Sequence, residues 1–400
     1  MENSQFFTTN SINYEVFNSI KKEQNSIGYY NLVDEDISHI IKYAKNITKK
    51  NIVIVGIGGS TLGTYAVYSF LRHTTIFTKR LILCDSTDPV ILNSRLDDLD
   101  FDDTLFIIIS KSGTTIETIS IFKYILSLVP LTSDSFIIVS QKDSKLHKLS
   151  VKKNIDFFEI SSNVGGRFSV LSVVGLLPLA LIGVDIKKLL KGAFNIKNSF
   201  FNKEDIYNSL IKKANFYAKN TNTYNINCLF SYSECFRGFN AWYTQLWGES
   251  LAKKQLNSSL NVSLTPIGLI GPGDQHSFLQ LIAQGKADKT VTFLKIKDFK
   301  SNIKIPNISI KHLEELDYIN GVDFSSLINM QADSIIKSLS RIGDIPLDII
   351  QIDTINESNI GELFYYFELL TSLVAKLLDI DAYNQPGVED GKKILKSFFE

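Results

Sequence analysis

The densest chemistry in the sequence lies at Ser110-Lys111-Ser112-Gly113-Thr114-Thr115-Ile116-Glu117-Thr118, where five hydroxyls and one ammonium fall within nine residues. The run follows the apolar LFIII, and Ile116 and Ile119 continue with helical spacing, so it reads as a strand-to-helix turn. Hydroxyls, a cation and the free N–H groups of a helix start can surround a phosphate dianion with charge-assisted hydrogen bonds. A simple N-cap needs only one of them. A second turn, Gly56-Ile57-Gly58-Gly59-Ser60-Thr61-Leu62-Gly63, follows NIVIV. It is not a dinucleotide fingerprint, because the third glycine of G-x-G-x-x-G would fall at Thr61, and it lacks the lysine of a P-loop. Alone, it is as readily a tight turn as a ligand contact.

Proton-transfer candidates lie further along. Residues 242–250 (WYTQLWGES) read as helical, and i,i+4 spacing puts Gln245 and Glu249 on one face. A carboxylate partly desolvated among two tryptophans and a tyrosine is a better proton acceptor near neutral pH; a surface carboxylate is the plainer alternative. Arg167, in NVGGRFS, stands at the mouth of the apolar run 170–184, where a guanidinium can stabilise an oxyanion or serve an ordinary ion pair. The run GPGDQHS at 271–277 is expected to open a helix with His276 at its N-terminus, where the dipole favours a neutral, exchangeable imidazole; a capping histidine is the alternative. His39, His73, His147 and His312 have no comparable setting and no two histidines are spaced as ligands, so no metal is expected. Asn384–Lys392 begins the last helix, with Gln385 and Lys392 two turns apart on nearly the same side; singly, Lys392 reads as a solvated cation.

These residues need a frame that holds them together. Short apolar runs at 51–55, 80–84, 105–110 and 136–140 are separated by helix-length spacers, and the pattern restarts at 228–231, 263–269, 291–295 and 347–352. Continuously apolar strands with intervening helices imply parallel β-α-β units covered on both faces, hence an α/β fold of two doubly wound domains. The boundary is placed near residue 195, with the Asn- and Lys-rich segment 195–223 as a partly helical connection. The domains are then 1–195, carrying the hydroxyl-rich loop; 196–385, carrying Glu249 and His276; and a C-terminal helix, 386–400, carrying Lys392. The 400 residues balance 42 basic against 42 acidic side chains, so there is no basic field to hold nucleic acid. Three sparse cysteines, Cys84, Cys228 and Cys235, fit reduced thiols in a cytoplasmic protein. No signal-peptide pattern opens the chain, and the 15-residue run Val170–Val184 falls short of the ~20 residues that cross a bilayer; it reads as a buried helix, and no membrane association is expected.

Six segments in this order, VGIGGSTLG, SKSGTTIET, VGGRFSVLS, QLWGES, DQHS and QPGVEDGK, resemble the characteristic blocks of the phosphoglucose isomerase family, from about residue 50 to the C-terminus. The resemblance implies sugar-isomerase-type domains and reversible conversion of glucose 6-phosphate and fructose 6-phosphate through a cis-enediolate, without a cofactor. It implies a sugar phosphate held by Ser110, Ser112, Thr115 and Thr118, with Lys111 nearby, Gly59 and Ser60 against the sugar, and Gln245 and Gln385 completing the pocket. Glu249 matches the base that shuttles a proton between C1 and C2, Arg167 the group that stabilises the enediolate, His276 and Lys392 the pair that assists ring opening, and Glu117 the carboxylate that orients the histidine. A homodimer is implied, with His276 reaching the neighbouring subunit's site. The chain resembles the compact bacterial-type members. It departs from the pattern at Ala252, where glycine is common, and at Ser112-Gly113, where many longer members have Thr-Phe; residues 1–49 carry no family motif. Two other readings are a sugar-phosphate sensor without catalysis and an isomerase that also accepts mannose 6-phosphate. The presence of Glu249, Arg167, His276 and Lys392 argues against the sensor.

Overall fold

Runs of Val, Ile, Leu and Phe organise the chain into two five-stranded sheets in the computed structural model, which describes residues 1–399. In chain order the strands are β1 (Glu2–Gln5), β2 (Asn51–Val55), β3 (Arg80–Cys84), β4 (Thr104–Ile109), β5 (Phe136–Ser140), β6 (Asp156–Glu159), β7 (Ile226–Ser231), β8 (Ala252–Lys254), β9 (Asn261–Ser263), β10 (Thr265–Ile270), β11 (Lys289–Ile296) and β12 (Leu347–Ile352). The first sheet, β3-β2-β4-β5-β6, is wholly parallel. The second, β1-β12-β11-β7-β10, is parallel except for β1, which pairs antiparallel with β12 at the edge.

Alternate residues of each central strand feed different cores, the period-two consequence of the pleat. From β4, Leu105, Ile107 and Ile109 join one large cluster while Phe106 and Ile108 join a second. From β11, Leu294 and Ile296 join that same large cluster while Val291 and Phe293 join a third. The large cluster therefore lies between the sheets and the other two cap their outer faces. Each fully buried Ile, Leu or Phe contributes about 1.5–3 kcal/mol, so these strands anchor the molecule.

One helix, Arg237–Leu251, ties the halves together, packing on the helix Leu62–Leu71 of the first half and on β10 of the second. The crossing is close: a Cβ on Gly238 would stand 2.9 Å from the Ala66 Cα and the Tyr65 carbonyl, so glycine is required.

Two local expectations are revised. The buried helix spans Val173–Leu181 rather than 170–184, because the Ser172 hydroxyl caps it by accepting from the Val174 N–H. The 263–269 run divides into β9, which pairs with β8, and β10. The 195–223 segment is largely helical: helices Ile186–Phe201 and Asp205–Lys219 bury Phe200, Leu210, Ile211 and Ala214 in the shared core. The cysteines are unpaired and buried, and burial pushes the thiols of Cys84 and Cys228 up to about 12. Among the described residues, no helix is long and apolar enough to cross a membrane.

Candidate active site

In the first sheet the chain leaves β2 for β3 on one side and then returns to β4 on the other. Ligands bind in the crevice that such a reversal opens at the carboxyl ends of the strands. The two turns that flank it are the glycine turn after β2 and the hydroxyl turn after β4.

The glycine turn closes on the Gly165–Ser169 segment. A Cβ on Gly59 would lie 2.4 Å from the Gly166 carbonyl, so no side chain fits there, and Ser169 Oγ donates to the carbonyls of Gly166 and Gly59 at 2.6 and 3.3 Å. Ser60 is half-buried beside it. In the hydroxyl turn, Ser110 Oγ and Thr115 Oγ1 lie 2.9 Å apart, and the Thr114 N–H and hydroxyl reach Ser112 Oγ at 3.2 and 3.1 Å. Thr115 precedes the helix Ile116–Leu126 without capping it by its side chain, which leaves first-turn N–H groups uncapped. Thr118 Oγ1 is buried with no partner among the described residues. Lys111 is committed elsewhere: its ammonium donates to the Ser162 and Val164 carbonyls at 2.8 Å each, lashing this turn to the segment before Arg167, and burial pushes its pKa down.

Arg167 is the centre of the constellation. It lies in the 3₁₀ turn Gly166–Phe168, ahead of the buried helix, and is only 3% exposed. Its five N–H groups find five acceptors: Nε reaches Ser250 Oγ at 2.7 Å, one terminal nitrogen reaches Glu249 Oε2 at 3.0 Å and Gln385 Oε1 at 3.1 Å, and the other reaches the carbonyls of Ala382 and, at 2.9 Å, Asn384. Desolvation pulls its pKa down and the Glu249 charge pulls it back up. Gln245 Nε2 donates to Glu249 Oε1 at 3.1 Å, as the i,i+4 spacing anticipates, while Gln245 Oε1 is buried without a partner. Glu249 is less desolvated than its aromatic neighbours suggest: the tryptophans and Tyr243 face the core, while its side chain stays 38% exposed. A cavity of about 530 Å³ opens beside it, lined by Gly248, Lys253, Gln385 and Gly387 among others.

The remaining candidates stand apart. His276 is exposed and follows the 3₁₀ turn Gly273–Gln275; the next helix starts only at Leu279, so His276 is not at its N-terminus as expected. Lys392 is exposed and paired with Glu389 at 2.6 Å. Glu117 is half-buried in the first turn of its helix. Neither His276, Lys392 nor Glu117 lines the cavity beside Glu249. Sequence reasoning missed Ser250, the Ala382 and Asn384 carbonyls, and Lys253, whose ammonium holds both oxygens of Asn384 and whose pKa burial lowers to about 8. Among the described residues, no three His, Cys, Asp or Glu side chains are grouped to hold a metal ion.

Two parallel-rich α/β sheets, each with a reversal of strand order at its first central strand, define a class of fold shared with phosphosugar isomerases. A tagatose-6-phosphate ketose/aldose isomerase of Escherichia coli superposes with a TM-score of 0.54 at 12% identity, over 96% of this chain and 98% of that one. Similarity rises to a TM-score of 0.88 at 26% identity for a hypothetical protein of Thermus thermophilus, covering 96% of this chain and 94% of that one. The chain belongs to the phosphoglucose isomerase family, whose model matches residues 38–400. It is 41% identical to a glucose-6-phosphate isomerase of Campylobacter jejuni over 410 aligned residues, 99% of each chain, and 34% identical to one of Methanocaldococcus jannaschii, over 94% of this chain and 90% of that one.

Proposed function

We propose that this chain interconverts glucose 6-phosphate and fructose 6-phosphate, with Glu249 as the base that carries one proton between C2 and C1. The observation that carries the reading is the Arg167–Glu249 pair at 3.0 Å. A proton α to a carbonyl is weakly acidic, so its removal needs a fixed base and a fixed positive charge where the enediolate oxygens form. Nε and one terminal nitrogen of Arg167 are spent on Ser250 and two carbonyls. The other terminal nitrogen faces only Glu249 and Gln385, side chains at the cavity, and it is the donor an enediolate oxygen would take over.

The phosphate sits on Ser110, Ser112, Thr115 and Thr118, with the uncapped helix start behind them; the unpaired Thr118 hydroxyl supports this, because burying a hydroxyl without a partner is costly. Lys111 fixes this turn to the Arg167 segment rather than meeting the ester directly. Gly59, Ser60, Gln245 and Gln385 border the sugar. His276 opens the ring from a second copy, with Lys392 assisting and Glu117 orienting it. Its exposure in one chain fits that role, as do the exposed apolar side chains of Ile303, Ile308, Ile310 and Tyr318, which a dimer would cover. The division into 1–195, 196–385 and 386–400, and a cytoplasmic setting, complete the proposal.

The test is a coupled dehydrogenase assay on fructose 6-phosphate with purified protein, run beside Glu249→Gln. Turnover by the wild type and its loss in the variant, with thermal protection by the sugar phosphate retained, is the expected result. Protection without any wild-type turnover would favour the sensor. A parallel run with mannose 6-phosphate reads tolerance at C2.

A further inference from the structure

Three of the five acceptors that fix Arg167 belong to a loop, residues 381–385, which the N-terminal segment holds in place although the family model begins to match only at residue 38. Tyr383 lies between the two residues whose carbonyls accept in this grip, Ala382 and Asn384. Its hydroxyl donates to the Glu23 carboxylate and stands 2.9 Å from Ser372 Oγ. Glu23, buried at the end of the helix Val16–Glu23, also accepts from the Tyr30 hydroxyl at 3.0 Å and is ion-paired with Lys376. The residue after Arg167 rests on the same cluster: the Phe168 ring lies 4.9 Å from that of Tyr29 and 5.3 Å from that of Tyr383, centroid to centroid. The Gly28 N–H donates to the Asn163 carbonyl at 2.9 Å, so the segment entering the arginine turn is pinned from the same side.

We propose that Tyr383 and Glu23 are positioning residues for Arg167: the buried phenol–carboxylate bond fixes the loop whose carbonyls aim the guanidinium, making the N-terminal helix part of the catalytic apparatus. The inference rests on the reading of Arg167 as the enediolate's counter-charge. A hydrogen bond to a carboxyl oxygen held away from bulk water is strong and directional, and rate is steeply sensitive to the placement of a charge that acts only in the transition state. Removing the Tyr383 hydroxyl leaves Glu23 paired with Tyr30 and Lys376 and leaves the ring stack in place, so the fold persists while the loop loses its tie to the N-terminal helix and keeps the one from Lys253 to Asn384.

The experiment is steady-state kinetics on fructose 6-phosphate for Tyr383→Phe, with Glu23→Gln as a second variant that carries the same test if the first does not fold. Both should lower kcat, Tyr383→Phe by about tenfold, with KM changed less than about twofold. Tyr43→Phe removes a phenol–carboxylate bond outside this cluster, the exposed one to Asp156 at 2.6 Å, and should leave kcat unchanged. In an Arg167→Lys background, adding Tyr383→Phe should cost little more, because the hydroxyl acts through the arginine. A wild-type kcat in Tyr383→Phe beside an impaired Arg167→Lys, or a fully additive loss in the double variant, overturns the inference alone. Absence of wild-type turnover, or an unimpaired Arg167→Lys, overturns the reading of Arg167 and the inference with it.

Discussion

At the scale of the residue, the account turns on the difference between charge and geometry at position 167. Lysine keeps the charge but offers three donors on one nitrogen, and cannot span Ser250, Glu249, Gln385 and two carbonyls at once. Arg167→Lys is therefore expected to lower kcat by roughly 10²–10³-fold, the scale of losing an oxyanion donor, with a smaller change in KM; steady-state kinetics reads both. Gln245, Glu249, Arg167 and Gln385, which the structure brings together, were legible in the sequence because a polar side chain announces its type, and the i,i+4 relation fixed which two share a face. Ser250 and the carbonyls of Ala382 and Asn384 were not legible, since every residue has a carbonyl and nothing in the letters says which one is aimed. Lys111 has contacts that its charge alone does not specify. Its charge suggested phosphate, yet burial beside two free carbonyls gave it a tethering task.

At the scale of the element, the helix Glu357–Leu377 carries a carboxyl group that nothing balances. Glu368 is fully buried and neither oxygen has a partner among the described residues, so desolvation raises its pKa well above the ordinary carboxylate range. The folded state then holds a proton that the unfolded state releases above about pH 4.3, and stability falls as pH rises from there toward the folded value. Glu368→Gln removes that linkage. It should raise Tm at pH 8 and change it little at pH 4, as scanning calorimetry at the two values would show; an equal shift at both would contradict the assignment. A second buried group is balanced: Lys213 meets Asp348 at 2.6 Å, with Thr292 bridging at 3.0 and 2.6 Å. Asp348→Asn leaves that ammonium without its counter-charge and should cost about 3–5 kcal/mol in urea unfolding. Central strands were legible because burial on both faces demands continuous apolar runs. β1, with the sequence ENSQ, was not: its backbone is held at the sheet edge by β12, and edge pairing asks little of side-chain type.

At the scale of the whole molecule, both halves repeat one path. β2, β3, β4 and β5 lie in the order β3-β2-β4-β5, and β7, β10, β11 and β12 in the matching order β10-β7-β11-β12. Each half thus has a reversal at its first strand; the first half places the glycine and hydroxyl turns there, and the bridging helix Arg237–Leu251 brings Glu249 to Arg167 from the second. The two-domain rhythm could be read from the spacing of apolar runs, whereas the shared central core could not, because contacts between distant segments have no local signature. If a second copy supplies His276, Glu249→Gln and His276→Ala homodimers are each impaired, but unfolding and refolding them together creates mixed dimers with one intact site. Recovered turnover in the refolded mixture is expected; none at all would contradict the shared site.

In the proposed reaction one carboxylate carries the same hydrogen from one carbon to the next. Glucose 6-phosphate bearing deuterium at C2 reads it directly through the label found in the fructose 6-phosphate formed. A proton lifted and returned by Glu249 should appear partly at C1 and partly in water, and Glu249→Gln should yield no labelled product. Complete retention of the label at C1, which a hydride shift would give, or undiminished transfer in Glu249→Gln, would contradict the account.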